Sequence, residues 1–188
     1  MTRSSHSPWR ALTATLVAIS IVVAAPFARA TVAIRLTREE LVAGADLVVR
    51  ARVGTHESHY DPAAHDIVTL TRIEVISYLK GAGARALTVR QRGGQVGDAV
   101  EIISGNPVLT QGQDVILFLR TGPGVVYVSE MAQSVYYIAG TLAHRDLSGL
   151  QLVPRDRSHA RQSDAIAEGP EALETLLSSV RRLARTAR

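Results

Sequence analysis

The chain has 188 residues, no cysteine and a formal net charge of +4, from 21 basic and 17 acidic residues. Arg3, Arg10 and Arg29 fall in the first thirty positions, where there is no acid, so the remainder stands at +1. That near-neutral balance excludes the basic face a nucleic-acid partner needs, and without disulfides packing alone must hold the fold.

Residues 1–30 read as a Sec-type signal peptide. Arg3 and Arg10 precede an uncharged apolar run at 11–25 (ALTATLVAISIVVAA), Pro26 breaks it, and Ala28-Arg29-Ala30 is the small-x-small pattern of a cleavage site. The run falls short of the roughly 20 apolar residues of a membrane span. There is no cysteine to acylate and no twin arginine for a Tat route. The expectation is a bacterial protein that is periplasmic or secreted, with no transmembrane span after cleavage. Beyond residue 30 there is no Trp, Phe118 is the sole Phe, and five Tyr remain. The core must be Val, Ile, Leu and Ala. That poverty argues against stacking platforms for single-stranded nucleic acid and against aromatic-lined sugar sites. Lys80, the one lysine, reads as base composition rather than function.

Thr37-Arg38-Glu39-Glu40 is a capping box. A short helix over 38–43 should follow, with Gly44 as its left-handed stop. Residues 46–60 and 65–78 are rich in Val, Ile and Thr and flank Asp61-Pro62-Ala63-Ala64, a type I turn signal. They predict a long hairpin, with Leu47, Val49, Ala51 and Val53 on one face and Arg50 and Arg52 on the other. Further strands are expected at 86–92, 100–103, 115–120, 125–130, 134–143 and 150–153, separated by turns. The run at 115–120 (VILFLR) is apolar throughout and should be buried on both faces. Short strands at this spacing predict an antiparallel barrel or sandwich. Residues 154–169 read as a polar linker. A helix is expected over 170–187 with Pro170 at its first position, carrying Leu173, Leu176, Leu177, Val180, Leu183 and Ala184 as one stripe. Packing back on the β-domain is its expected role; a partner groove and a membrane surface are the alternatives. The expected organisation is therefore a signal peptide (1–30), a β-domain (31–153), a linker (154–169) and an amphipathic helix (170–187). The fold class is mainly β, an OB-like barrel or a sandwich, with a short N-terminal helix.

Candidate chemistry is sparse. His56, His59 and His65 lie with Glu57, Asp61 and Asp66 within eleven residues, which could suit Zn²⁺. A two-residue turn at Pro62-Ala63 would set Tyr60 opposite His65 and His59 opposite Asp66. His59 and His65 would then point to opposite faces, leaving His59–Asp66 as an exposed cross-strand pair. Gly93-Gly94-Gln95-Val96-Gly97 follows a strand, but no helix follows it, so it reads as a loop needing positive φ rather than a phosphate cradle. His144-Arg145-Asp146-Leu147 copies a kinase motif without its companions, and Asp146 reads as a turn residue. There is no Gly-x-Ser-x-Gly elbow and no His-Glu-x-x-His. No cofactor is expected.

Several of these strings occur together: ADLVVRARV at 45–53, Ser77-Tyr78-Leu79-Lys80-Gly81, Val89-Arg90-Gln91-Arg92-Gly93-Gly94, Gly105-Asn106-Pro107, QGQDVILFL at 111–119 and Met131-Ala132-Gln133. In that order, over about residues 36–140, the chain resembles a group of uncharacterised secreted bacterial β-proteins, a resemblance that implies no activity. The first strand and the Leu-Lys-Gly end are also similar to the OB-like barrels of netrin and metalloproteinase-inhibitor modules. Those modules rely on cysteines, which this chain lacks. The functional expectation is an exported, non-catalytic β-domain that binds a secreted or envelope protein. The alternatives are a protease inhibitor or protease-associated module, and a metal-dependent enzyme using residues 56–66.

Overall fold

The computed structural model describes residues 31–154 and 169–186, so the expected signal peptide and nearly all of the expected linker lie outside the described residues. The chain is mainly β, with a large mixed sheet and a C-terminal helix.

Strand β1 (Thr31–Ile34) leads to helix α1 (Arg38–Gly44). The capping box forms: Thr37 Oγ1 accepts from the Glu40 amide at 3.2 Å, and the Glu40 carboxylate accepts from the Thr37 amide at 2.9 Å. Gly44 belongs to the helix rather than ending it, and the extended residue Ala45 follows. A left-handed stop is unnecessary, because the Lys80 ammonium takes up the last carbonyls instead: Val42 O and Ala45 O at 2.6 Å each, and Ala43 O at 3.5 Å. Lys80 therefore has a structural role that the sequence reading did not assign to it.

The expected hairpin is β2 (Leu47–Asp61) and β3 (Asp66–Lys80). Its turn differs. Asp61 pairs with Asp66, Tyr60 with Ile67 and His59 with Val68, which makes a four-residue loop. The Asp61 carboxylate accepts from the amides of Ala63 and Ala64 at 2.9 and 3.4 Å, and His65 closes the loop at φ 55°. The loop thus holds four residues and closes on a left-handed one, rather than the two residues on which the expected His59–Asp66 pairing depended.

Strands β4 (Ala86–Arg92), β5 (Gly94–Val96) and β6 (Ala99–Glu101) follow, the last two as a small hairpin around Gly97 at φ 58°. The glycines of this loop take positive φ, as their pattern implied. Next come β7 (Asp114–Gly122), β8 (Val125–Val128), a 3₁₀ turn (Met131–Ser134), β9 (Val135–Ala139), β10 (Leu142–His144) and β11 (Leu150–Val153). The single strand expected over 134–143 is thus two, folded at Gly140 (φ 60°). Asp146 accepts from the Ser148 amide at 3.1 Å, as a turn residue should.

The large sheet runs β10-β9-β7-β2-β3-β4-β8, and β8 also pairs with β7, so the pairings β7-β2-β3-β4-β8 return to their start. The contacts between successive members are antiparallel except for β4 with β8, which is parallel through Val89 and Val126. Five strands of alternating direction cannot close without one parallel pair. The wholly antiparallel arrangement expected from the strand spacing is therefore replaced by a mixed one. A second parallel pair, β1 with β11, stands apart.

Two cores flank this sheet. One contains Val49, Ala51, Val53, Ile73, Val89, Val115, Leu117, Leu119 and Val126, contributed by all five strands of the circuit. The other joins Val48, Ile116, Phe118 and Tyr136 to α1 and to the C-terminal helix α2 (Leu173–Thr186). Strand β7 thus faces a core on each side, which explains its unbroken apolar run. The stripe of α2 packs back through Leu173, Leu176, Leu177, Val180 and Ala184. The helix starts later than expected. Glu171 and Ala172 form a two-residue strand, β12, against the open edge of β10, and Arg38 of α1 holds the Glu171 carboxylate. Pro170 is therefore outside the helix. No helix among the described residues is long and apolar enough to cross a membrane.

Candidate binding cleft

Cross-strand partners share a face of a sheet, so the register of β2, β3 and β4 sets out rows of side chains. Val53, Ile73 and Leu87 make one row, all apolar. The next is His56, Thr71 and Val89, and the next Ser58, Thr69 and Gln91. The lining that is core at one end becomes polar over two steps.

A bulge makes this possible. His56 is three positions after Val53, which in a regular strand would put them on opposite faces. The register shift between them, at Gly54 and Thr55, returns His56 to the face of Val53. Bulges commonly re-aim a side chain in this way. Gly54 suits the spot, since a Cβ there would sit 3.0 Å from Arg72 O. The loop before β7 is tied to the bulge: Val53 N donates to Gln113 O at 2.9 Å, and Gly112 N to Val53 O at 2.8 Å.

The segment between β6 and β7 walls the polar end. Asn106 Nδ2 donates to Arg92 O at 2.7 Å, and Gln91 Nε2 donates to Pro107 O at 3.0 Å. Leu109 anchors the wall by entering the core. On the floor, Thr69 Oγ1 donates to Gly93 O at 2.6 Å and lies 2.8 Å from Ser58 Oγ. Gly94 has φ 142°, and a Cβ on it would collide with both hydroxyls. The cleft is open to solvent and its volume is about 500 Å³, within the range of about 300–1,000 Å³ usual for ligand sites.

Its charges are internally matched. Asp66 holds the Arg92 guanidinium at 2.7 Å, which raises the arginine above its ordinary value. The Glu101 carboxylate accepts from the Ile67 amide at 2.8 Å. On the lip, Ile102 is 84% exposed and Val108 73%, the two most exposed large hydrophobic side chains among the described residues.

The three histidines singled out in the sequence separate. His56 lines the cleft. His59 pairs with Val68, an odd number of residues from His56 in an unbroken register, so it is on the other face. His65 is in the turn, with Nδ1 3.4 Å from the Tyr60 hydroxyl. Asp66, expected opposite His59, instead pairs with Asp61 and binds Arg92. Among the described residues no group of three or more His, Asp or Glu side chains is placed to hold a metal ion. Thr71, Gln91, Ile102 and Val108 were not foreseen as site residues. The one sequence signal that bore on them was the alternation of Thr69, Thr71 and Ile73, which marks a strand face changing from apolar to polar.

No protein-family model matches the chain, and neither a curated protein nor a solved structure does. The fold and the cleft carry the functional reading.

Proposed function

We propose that this protein is an exported, non-catalytic binding domain that uses the cleft and its apolar lip to hold a secreted or envelope protein. The exposure of Ile102 and Val108 beside a polar-floored cleft carries this reading. Exposed apolar patches rimmed by polar groups mark interaction sites more often than they occur by chance on a free surface. The pairing circuit β7-β2-β3-β4-β8 supports an OB-like barrel as the scaffold, with the cleft at the end where its interior turns polar. The pattern at residues 1–30 supports export to the periplasm or beyond. The charge balance does not favour nucleic acid.

Site-specific photo-crosslinking in the producing cell tests the reading. A benzophenone residue at Ile102 or Val108 should yield a discrete protein adduct, while one at exposed Ile76 on β3 should not. Equal adducts at all three positions would defeat the proposal. So would turnover of a hydrolase substrate panel by the purified protein that is lost on His56→Ala.

A further inference from the structure

We infer that the cleft takes an uncharged, extended stretch of polypeptide whose apolar side chains rest on Ile102 and Val108; this rests on the binding role proposed above. Charge complementarity is the first argument. Arg92 is spent on Asp66 and Glu101 on the Ile67 amide, so neither offers a free counter-ion to a charged ligand. A charged side chain brought into the cleft would lose water without gaining a partner.

The unspent polar groups are the second argument. Thr71 lines the cleft beside them and is 1% exposed. Gln91 donates its amide to Pro107 O and Asn106 donates its amide to Arg92 O, which leaves a carbonyl oxygen on each for a ligand. Acceptors below an apolar lip match the two products of an extended chain: backbone N–H groups on one side and alternate side chains on the other. An acyl chain would leave those acceptors unpaired, at a cost for each buried group. A sugar would find no Phe, Tyr or Trp ring to stack on, since the lining contains none.

The test uses the processed protein and a fluorescein-labelled nonapeptide of alternating leucine and serine. Two companions carry aspartate or lysine at the central position. Fluorescence anisotropy should show the neutral peptide binding, with less than about a twofold change on raising salt from about 50 to 500 mM, because the peptide itself forms no ion pair with the cleft. Either companion should bind about tenfold more weakly. Ile102→Asp and Val108→Asp should weaken the neutral peptide by at least about tenfold while leaving the circular dichroism and Tm unchanged, as expected for exposed positions. No binding of the neutral peptide, equal binding of the charged ones, or indifference to Ile102→Asp would overturn the inference. If crosslinking at Ile102 and Val108 succeeds while the peptide fails, the binding role stands and this inference alone falls. If both fail, both fall.

Discussion

The Nζ of Lys80, at the end of β3, donates to the carbonyl oxygen of Ala45, thirty-five residues earlier, at 2.6 Å. The same ammonium reaches Val42 O, so one cation closes the C-terminal end of α1 where the helix dipole is negative. Gly81 follows at φ 76°, and a Cβ there would clash with Leu47. The Leu-Lys-Gly string is thus a fastening between the helix and the hairpin. Lys80→Met should lower stability by about 2 kcal/mol, the scale of charge-assisted hydrogen bonds lost from partly buried carbonyls. Urea unfolding checks it, and an unchanged midpoint would remove the fastening role.

Gln133 is 2% exposed and bridges two backbone groups at the end of β1 and just after it: its Nε2 donates to Ile34 O and its Oε1 accepts from Leu36 N, both at 3.0 Å. The carboxamide acts as a one-residue strand. Gln133→Leu keeps the volume and removes both hydrogen bonds, so a loss of about 2 kcal/mol is expected. Amide exchange at Leu36 should accelerate more than exchange within β7.

Position in the core should separate stability from binding. Leu176 of α2 is fully buried, and Leu176→Ala should cost about 3 kcal/mol through transfer and cavity terms. Ile102→Ser should stay within about 0.5 kcal/mol of the parent, because that side chain is in solvent. A large loss from Ile102→Ser would mean that the lip is structural.

Acid stability follows from three carboxylates. The Thr121 amide and hydroxyl hold Asp46 below its ordinary value, the Ala63 amide holds Asp61 there, and the Ser148 hydroxyl and amide hold Asp146. A carboxyl whose folded value is depressed adds stability above its unfolded value of about 3.9 and loses it as pH falls through the folded value. Thermal midpoints should therefore fall as pH drops below about 4, and Asp46→Ala should make that fall shallower. An identical acid profile in the variant would contradict the assignment.

N-terminal sequencing of the protein recovered from the producing cell should begin at Thr31, after the Ala28-Arg29-Ala30 pattern. A sequence beginning at Met1 would remove the export reading.

Much of the fold was legible from local pattern. The alternation of Leu47, Val49, Ala51 and Val53 named a face that is buried as read, and the unbroken run in β7 announced a strand between two cores. The stripe of α2 specified a helix that had to cover something. Of the cleft, Gly93 and Gly94 were singled out only as a loop, and His56 for a metal role that its neighbours do not support. Its place on the floor depends on the bulge after Val53, which a sequence does not announce because Gly54 and Thr55 fit an ordinary strand equally well.

Sequence alone determined most of the elements, the hairpin between the two long strands and the near-neutral charge, because each of these is written in residues close together along the chain. The closed pairing of five strands, the partners of Lys80 and Gln133, and the gathering of Thr71, Gln91, Ile102 and Val108 around one space were decided only by tertiary structure. Periodicity reports which face of an element is buried, whereas register and closure, which depend on contacts between distant segments, decide what that face meets.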